Sequence, residues 1–453
     1  MDETRLQTDS YSSWYAQRAW LGGGALARDV LIEARKGRII SISSGSTRAD
    51  ATPLHGVVIP GLVNAHSHAF HRLLRGHTHR AGGDFWVWRD RMYEVAGSLT
   101  PESYERLATA VFVEMAMAGV TIVGEFHYLH HQPRGIPYFD SNEMGHAVIR
   151  AARTAGINIA LLDAGYFRAG FDDGDLNPVQ TRFRDRSPET WLDRVESLRA
   201  YYGGHDDVIV GVAPHSVRAV PEAALAQVTH RHGEGTPIHI HVSEQPAENA
   251  ECQEATGRTP TGLLADVGLL GPDTTLVHAT HLTDGDITAI GSSGSRVCYC
   301  ATTERDLADG IGPADELSAA GATLCAGSDS HAVIDMFEEA RGIEMHTRLA
   351  TGRRGNFAPR ELMSSLTVNG SASLAFPSGG LQVGSPADFA VIDTDSPRLS
   401  GIQDATALDS IVFAATPADV AEVFVRGERI VSDGEHLAWP EARTTLQEFA
   451  RGQ

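Results

Sequence analysis

The chain has 453 residues with 58 acidic and 37 basic side chains, a formal charge of −21 at pH 7. With no long basic run to offset that charge, nucleic acid and anionic membrane surfaces are excluded as partners, and an acidic substrate must be drawn in by a local cluster of arginines. The opening Met1-Asp2-Glu3-Thr4-Arg5 lacks the basic and apolar regions of a secretory signal, and no apolar stretch approaches a bilayer span, so a cytoplasmic protein is expected.

In chain order, Asp29-Val30-Leu31-Ile32-Glu33 and Arg38-Ile39-Ile40-Ser41-Ile42 flank Lys36-Gly37 and predict a hairpin. Eight short β-branched and apolar segments follow: Val57 to Val63, Val120 to Glu125, Ile157 to Asp163, Val208 to Ala213, Pro237 to Val242, Thr275 to His278, Arg296 to Ala301 and Thr323 to Gly327. Helix-like stretches separate them, such as Pro101 to Ala118 with Thr100 as its cap, and this alternation predicts an α/β protein with a parallel sheet. Eight such units make a (β/α)₈ barrel. Two connections are long and are expected to be loops over the carboxyl ends of the strands. Gly76 to Leu99 carries Trp86, Trp88, Arg89 and Arg91, and Gly165 to Glu189 carries Asp172, Asp173 and Asp175. After Gly379-Gly380, the runs Ala387 to Asp393 and Val423 to Val431 look like strands that join the amino-terminal hairpin. The expected organisation is a barrel over 61–378 and one small sheet domain assembled from 1–60 and 379–453.

The segment Asn64-Ala65-His66-Ser67-His68 places two imidazoles on one face of a strand, where they can grip one metal ion. His241, His278 and Asp329 end three later strands, where a barrel builds its active site. Imidazoles and a carboxylate suit zinc and would also accept iron or manganese. Zinc lowers the pKa of a bound water to about 7, and Asp329 could both touch the metal and take the water's proton. Glu244, three residues beyond His241, could carry a proton to a departing amine, which leaves poorly without one. His278 is open to two readings, a fifth ligand or a group that polarises the hydroxide. His281 reads as a supporting or loop residue. The four cysteines, Cys252, Cys298, Cys300 and Cys325, show no Cys-x-x-Cys spacing and read as reduced core thiols.

The motifs Asn64-Ala65-His66-Ser67-His68-Ala69-Phe70, Glu125-Phe126-His127-Tyr128 with His130-His131, Pro214-His215-Ser216-Val217-Arg218, His241-Val242-Ser243-Glu244-Gln245, Val277-His278-Ala279-Thr280-His281 and Gly327-Ser328-Asp329-Ser330-His331 extend across most of the chain. In these the sequence resembles the amidohydrolase superfamily, and within it the iminohydrolases that act on N-formimino-L-glutamate in bacterial histidine degradation. The resemblance implies a (β/α)₈ barrel with a small β-sandwich, a homodimer and one divalent metal per subunit, usually Zn²⁺ with Fe²⁺ or Mn²⁺ possible. It assigns metal ligation to His66, His68, His241 and Asp329, proton shuttling to Glu244 and hydroxide polarisation to His278. Lys36 is the only lysine and precedes the first metal motif, so no carbamylated lysine can bridge a second metal, and a single ion is favoured. Substrate contacts are implied for Arg89, Tyr128, His215 and Arg218. His71 stands where such enzymes can have Gln, which alters one polar contact to substrate. Two arginines match a small dicarboxylate, since guanidinium forks bind carboxylates at two points. The implied reaction is hydroxide attack on the formimino carbon, with Glu244 carrying the proton to ammonia. A deaminase of a ring substrate such as guanine, an aminopyrimidine or a triazine is the nearest alternative, and a noncatalytic scaffold barrel the more distant one.

Overall fold

The computed structural model describes residues 10–47, 50–78, 85–172, 174, 176–377 and 379–451. Met1 to Arg5, Asp173, Asp175 and the side chain of Trp86 lie outside the described residues. Two eight-stranded sheets organise the chain. The first takes β1 (Tyr11–Ala19), β2 (Ala27–Arg35), β3 (Arg38–Ser43) and β4 (Thr52–Pro60). The second is built from β5 (Leu62–Ser67), β6 (Val120–His127), β7 (Asn158–Gly165), β8 (Val208–Pro214), β9 (Ile238–Val242), β10 (Thr274–His278), β11 (Arg296–Tyr299) and β12 (Thr323–Ala326). The chain then returns to the first sheet with β13 (Phe389–Ile392), β14 (Val420–Val425), β15 (Glu428–Ser432) and β16 (Glu435–His436).

The strands β5 to β12 run parallel in sequence order with helices between them, the expected (β/α)₈ arrangement. β5, β6 and β7 are buried along their whole length, as strands covered on both faces must be. Closure brings β12 back to β5. There Asp329 N–H donates to the His66 carbonyl at 3.0 Å, and His68 N–H donates to the Asp329 carbonyl at 3.2 Å. The helix Pro101–Met117 begins as expected, with Thr100 and Ser103 forming a reciprocal cap and Pro101 in the first turn. A cap of this kind contributes about 1 kcal/mol.

Three expectations change. The apolar run Val57 to Val63 is not one strand: it passes from β4 to β5 through Gly61, where an added Cβ would lie 2.2 Å from Thr121 Oγ1. The long connection Gly76 to Leu99 is not all loop, because Phe85–Ser98 is helical. Its Met92, Val95 and Ala96 recur at helical spacing and are buried, a period obscured by the aromatic and arginine-rich start. The run Val423 to Val431 is a hairpin, with Arg426 and Gly427 at positive φ turning β14 into β15.

Both termini build the first sheet, in the order β16-β15-β14-β13-β4-β1-β2-β3. β2 and β3 form the expected hairpin around Lys36 and Gly37, both at positive φ. The sheet curls into a sandwich. Trp14 on β1 lies 5.6 Å from the ring of Phe424 on β14, three strands away, whereas a flat sheet would separate them by about 14 Å. Among the described residues no helix is long and apolar enough to cross a membrane.

Candidate active site

His66 and His68 leave the end of β5, His241 lies near the end of β9 and Asp329 follows β12. Their ligand atoms all lie within 4.8 Å of one another, and all four residues are buried. Neighbouring backbone orients two of the rings. His68 Nδ1–H donates to the Phe126 carbonyl at 2.9 Å and His241 Nδ1–H to the His215 carbonyl at 3.0 Å, so each turns an Nε2 lone pair inward. Burial holds all three imidazoles below their ordinary pKa and therefore neutral. Burial pushes the Asp329 carboxyl up, but the surrounding imidazoles outweigh it and keep the group an anion.

These donors converge with nothing of opposite charge between them. Asp329 Oδ1 lies 3.3 Å from both His66 Nε2 and His68 Nε2, and the Nε2 atoms of His66 and His241 are 3.1 Å apart. Lone pairs and a carboxylate oxygen at such separations repel unless a cation lies among them. The donor set therefore fits one divalent ion of the zinc type.

Glu244 and His278 face the same focus from the ends of β9 and β10. Glu244 Oε1 is 3.8 Å from His278 Nε2, and Asp329 Oδ2 is 4.0 Å from it. Burial favours neutral His278, but the carboxylates of Glu244, Glu304 and Asp329 together outweigh it and raise the imidazolium to about 10. Burial also raises Glu244, partly opposed by His278. Glu244 keeps 22% of its side chain exposed, so it meets the cavity. Ser243, His278, Ala279, Asp329 and His331 all adopt left-handed backbone at or beside the strand ends, the strained conformation that gathers at functional sites.

The cavity is lined by His68, His71, Trp88, Arg89, Met92, Tyr93, Tyr128, Tyr166, Phe183, His215, Arg218, His241, Glu244, His278, Leu307 and Asp329. Every residue singled out from the sequence as a substrate contact is therefore on its wall. His71 Nε2 pairs with the Tyr128 hydroxyl at 2.8 Å, and its Nδ1 has no partner among the described residues. Burial lowers His71 to about 3, and burial with Arg218 lowers His215 to about 3, so both present neutral rings. Arg218 makes no hydrogen bond or ion pair through its guanidinium among the described residues; only its carbonyl is engaged, accepting from Arg168 Nε at 2.9 Å. His281 is not on the wall: its Nε2 donates to the Asp309 carbonyl at 2.7 Å.

Several supporting residues had no assigned role in the sequence. Glu304 places Oε1 3.5 Å from His278 Nδ1 while accepting from Cys300 N–H, and its only signal was an acid in the first turn after β11. Glu125 and His331 were visible as motif members. Glu125 accepts from Ser67 Oγ at 2.5 Å and from Ala69 N–H at 2.7 Å, and Ser67 Oγ lies 3.1 Å from His331 Nε2. His331 Nδ1 pairs with Ser328 Oγ, which accepts from Asn64 Nδ2 at 2.7 Å. This network ties β5 to β6 and β12 around the His-x-His pair. The four cysteines are free and buried, as expected.

The sequence model of the amidohydrolase family matches residues 57–430. The chain is 36% identical over 438 residues to formimidoylglutamate deiminase of Pseudomonas aeruginosa, covering 94% of this chain and 96% of that one. It is 31% identical over 434 residues to 5-methylthioadenosine/S-adenosylhomocysteine deaminase of Halobacterium salinarum, covering 93% of each. Among solved structures, an amidohydrolase from Brucella melitensis is similar with a TM-score of 0.91 at 35% identity, covering 97% of this chain and 99% of that one.

Proposed function

The chain belongs to the amidohydrolase family as a hydrolase of C–N bonds, and from that premise we propose that it converts N-formimino-L-glutamate and water to N-formyl-L-glutamate and ammonia, as a step of histidine degradation. The observation that carries this reading is the pair of arginines, Arg89 and Arg218, on the wall of the cavity that holds the metal-type donors. The substrate has the matching chemistry, an amidine carbon on the α-nitrogen with one carboxylate on the adjoining carbon and a second at the end of the side chain.

His66, His68, His241 and Asp329 would hold one divalent metal, zinc foremost with iron or manganese chemically acceptable. Bound there, the ion supplies Lewis acidity, which acidifies water and favours charge on oxygen in the transition state. Arg218 and Arg89 grip the carboxylates, with the Tyr128 hydroxyl and the neutral rings of His71 and His215 lining the path between. That grip sets the formimino carbon beside Glu244. Glu244 takes a proton from the water that adds to this carbon and passes it to the formimino nitrogen, then relays the proton of the new hydroxyl to the same nitrogen as the C–N bond breaks, so that the formyl C=O forms and ammonia rather than amide anion leaves. Its burial-raised carboxyl suits both halves of the transfer. His278 donates from Nε2 to the oxygen being added, and Glu304 behind it keeps the ring charged and oriented.

A ring-deaminating activity is the second reading, favoured by the aromatic wall of Tyr93, Tyr128, Tyr166 and Phe183. Ammonia release from N-formimino-L-glutamate, 5-methylthioadenosine and guanine, with and without chelator, separates the two. Turnover of a purine in preference to the formimino acid would overturn the proposal, and chelator-insensitive turnover would overturn the metal assignment.

A further inference from the structure

Beside the four metal-type donors lies a second constellation that the proposed reaction leaves partly unexplained. Glu244 lies just past β9, His278 ends β10 and Asp309 follows the short helix after β11, and each brings a ligand atom within 4.8 Å of the others. Asp309 is the unexpected member. It is 2% exposed, its Oδ1 accepts from the Gln245 side-chain amide, and its Oδ2 has no hydrogen-bond partner among the described residues. A buried carboxylate oxygen left without a donor carries a desolvation cost, which a cation at the trio would offset. Glu304 Oε1 at 3.5 Å and Asp329 Oδ2 at 4.0 Å also face His278, so one imidazole stands among four carboxylates. Glu244 reaches the open cavity and supplies an entry path.

We propose that Glu244, His278 and Asp309 form a second divalent-cation site, distinct from His66, His68, His241 and Asp329. Binding there must displace the proton of His278; the freed imidazole nitrogen and two carboxylates then suit Zn²⁺ or Mn²⁺, and that proton release together with three protein ligands in place of four makes the site the weaker of the two. Its occupancy is inhibitory, because the second ion takes the atoms of Glu244 and His278 that carry and orient the proton. That consequence rests on the function proposed above; the occupancy itself does not.

The test is equilibrium dialysis of the chelator-stripped full chain against graded Zn²⁺, with bound zinc per subunit measured by mass spectrometry. The wild type is expected to take one tight and one weaker equivalent. Asp309→Asn and Asp309→Ala should keep the tight equivalent, which also reports that they fold, and lose the weaker one. A single equivalent in the wild type at zinc excess, or two unchanged equivalents in both variants, overturns the site. In parallel, excess Zn²⁺ should inhibit ammonia release from N-formimino-L-glutamate, and Asp309→Asn should raise the half-inhibiting concentration at least about tenfold, the lower end of what even outer-shell changes cost a metal site. A second equivalent that binds in the wild type without inhibiting turnover overturns the inhibitory role, while absence of turnover at every zinc level is the failure of the proposed function and leaves the dialysis result standing.

Discussion

Replacing Arg218 by Met tests the carboxylate clamp most directly, because this side chain does no visible work for the fold. Its guanidinium lies on the cavity wall without a hydrogen bond or close ion pair to any described side chain, so truncation breaks no internal bridge. Methionine keeps most of the volume and removes the charge. A charge-assisted hydrogen bond contributes about 1.5–3 kcal/mol. At 1.4 kcal/mol per decade, kcat/KM for N-formimino-L-glutamate should fall by roughly 10- to 150-fold. Formamidine has the reacting amidine and no carboxylate, so its slower hydrolysis should change by less than about threefold, since none of that binding energy applies to it. The assay is coupled ammonia release under subsaturating substrate, with a thermal melt on the same samples. The melting temperature should shift little, since the guanidinium, whose charge is favoured at longer range by Tyr166, Glu248 and Glu244, makes no hydrogen bond or ion pair among the described residues. Equal losses on both substrates, or no loss on either, would refute the reasoning.

Glu244→Gln keeps the shape but cannot shuttle a proton; turnover should fall by about 10²–10⁴-fold while the tight metal equivalent, measured by elemental analysis, is retained. Asp329→Asn removes the one anion among the four donors, and zinc per subunit after dialysis should drop well below one. Gly61→Ala places a Cβ 2.2 Å from Thr121 Oγ1, and urea unfolding should show a loss of about 1–3 kcal/mol, with an unchanged midpoint counting against the close approach of β4, β5 and β6.

Much of the site was legible because a parallel barrel sends one end of every strand to the same face. Once Val277-His278 and Cys325-Ala326-Gly327-Ser328-Asp329 are read as strand ends, convergence with His66 and His68 follows from topology. What escaped were features without a periodic signature. In the run Val57 to Val63, Pro60-Gly61 marks the domain boundary placed at 60/61, but the strand reading ran across it, and the close approach that demands Gly61 depends on Thr121, distant in sequence. Glu304 and Asp309 carry no motif signal, and only the packing of the segment after β11 against the end of β10 shows that they face His278. The helix Phe85–Ser98 was hidden because its opening turn is aromatic and basic, and among the described side chains the buried stripe starts at Met92.

The seam between β5 and β12 gives the metal-type donors a mechanical meaning. His66 sits on the first strand of the ring, His68 just past it and Asp329 just past the last, so the cluster exists only after the two edges of the barrel have met. An ion seated there would rivet the hoop at its single joint, and its binding free energy would count directly against opening of that joint. Stripping the ion should loosen amide protons of these two strands before those of β7 and β8 on the far side, so that catalyst and clasp are one object.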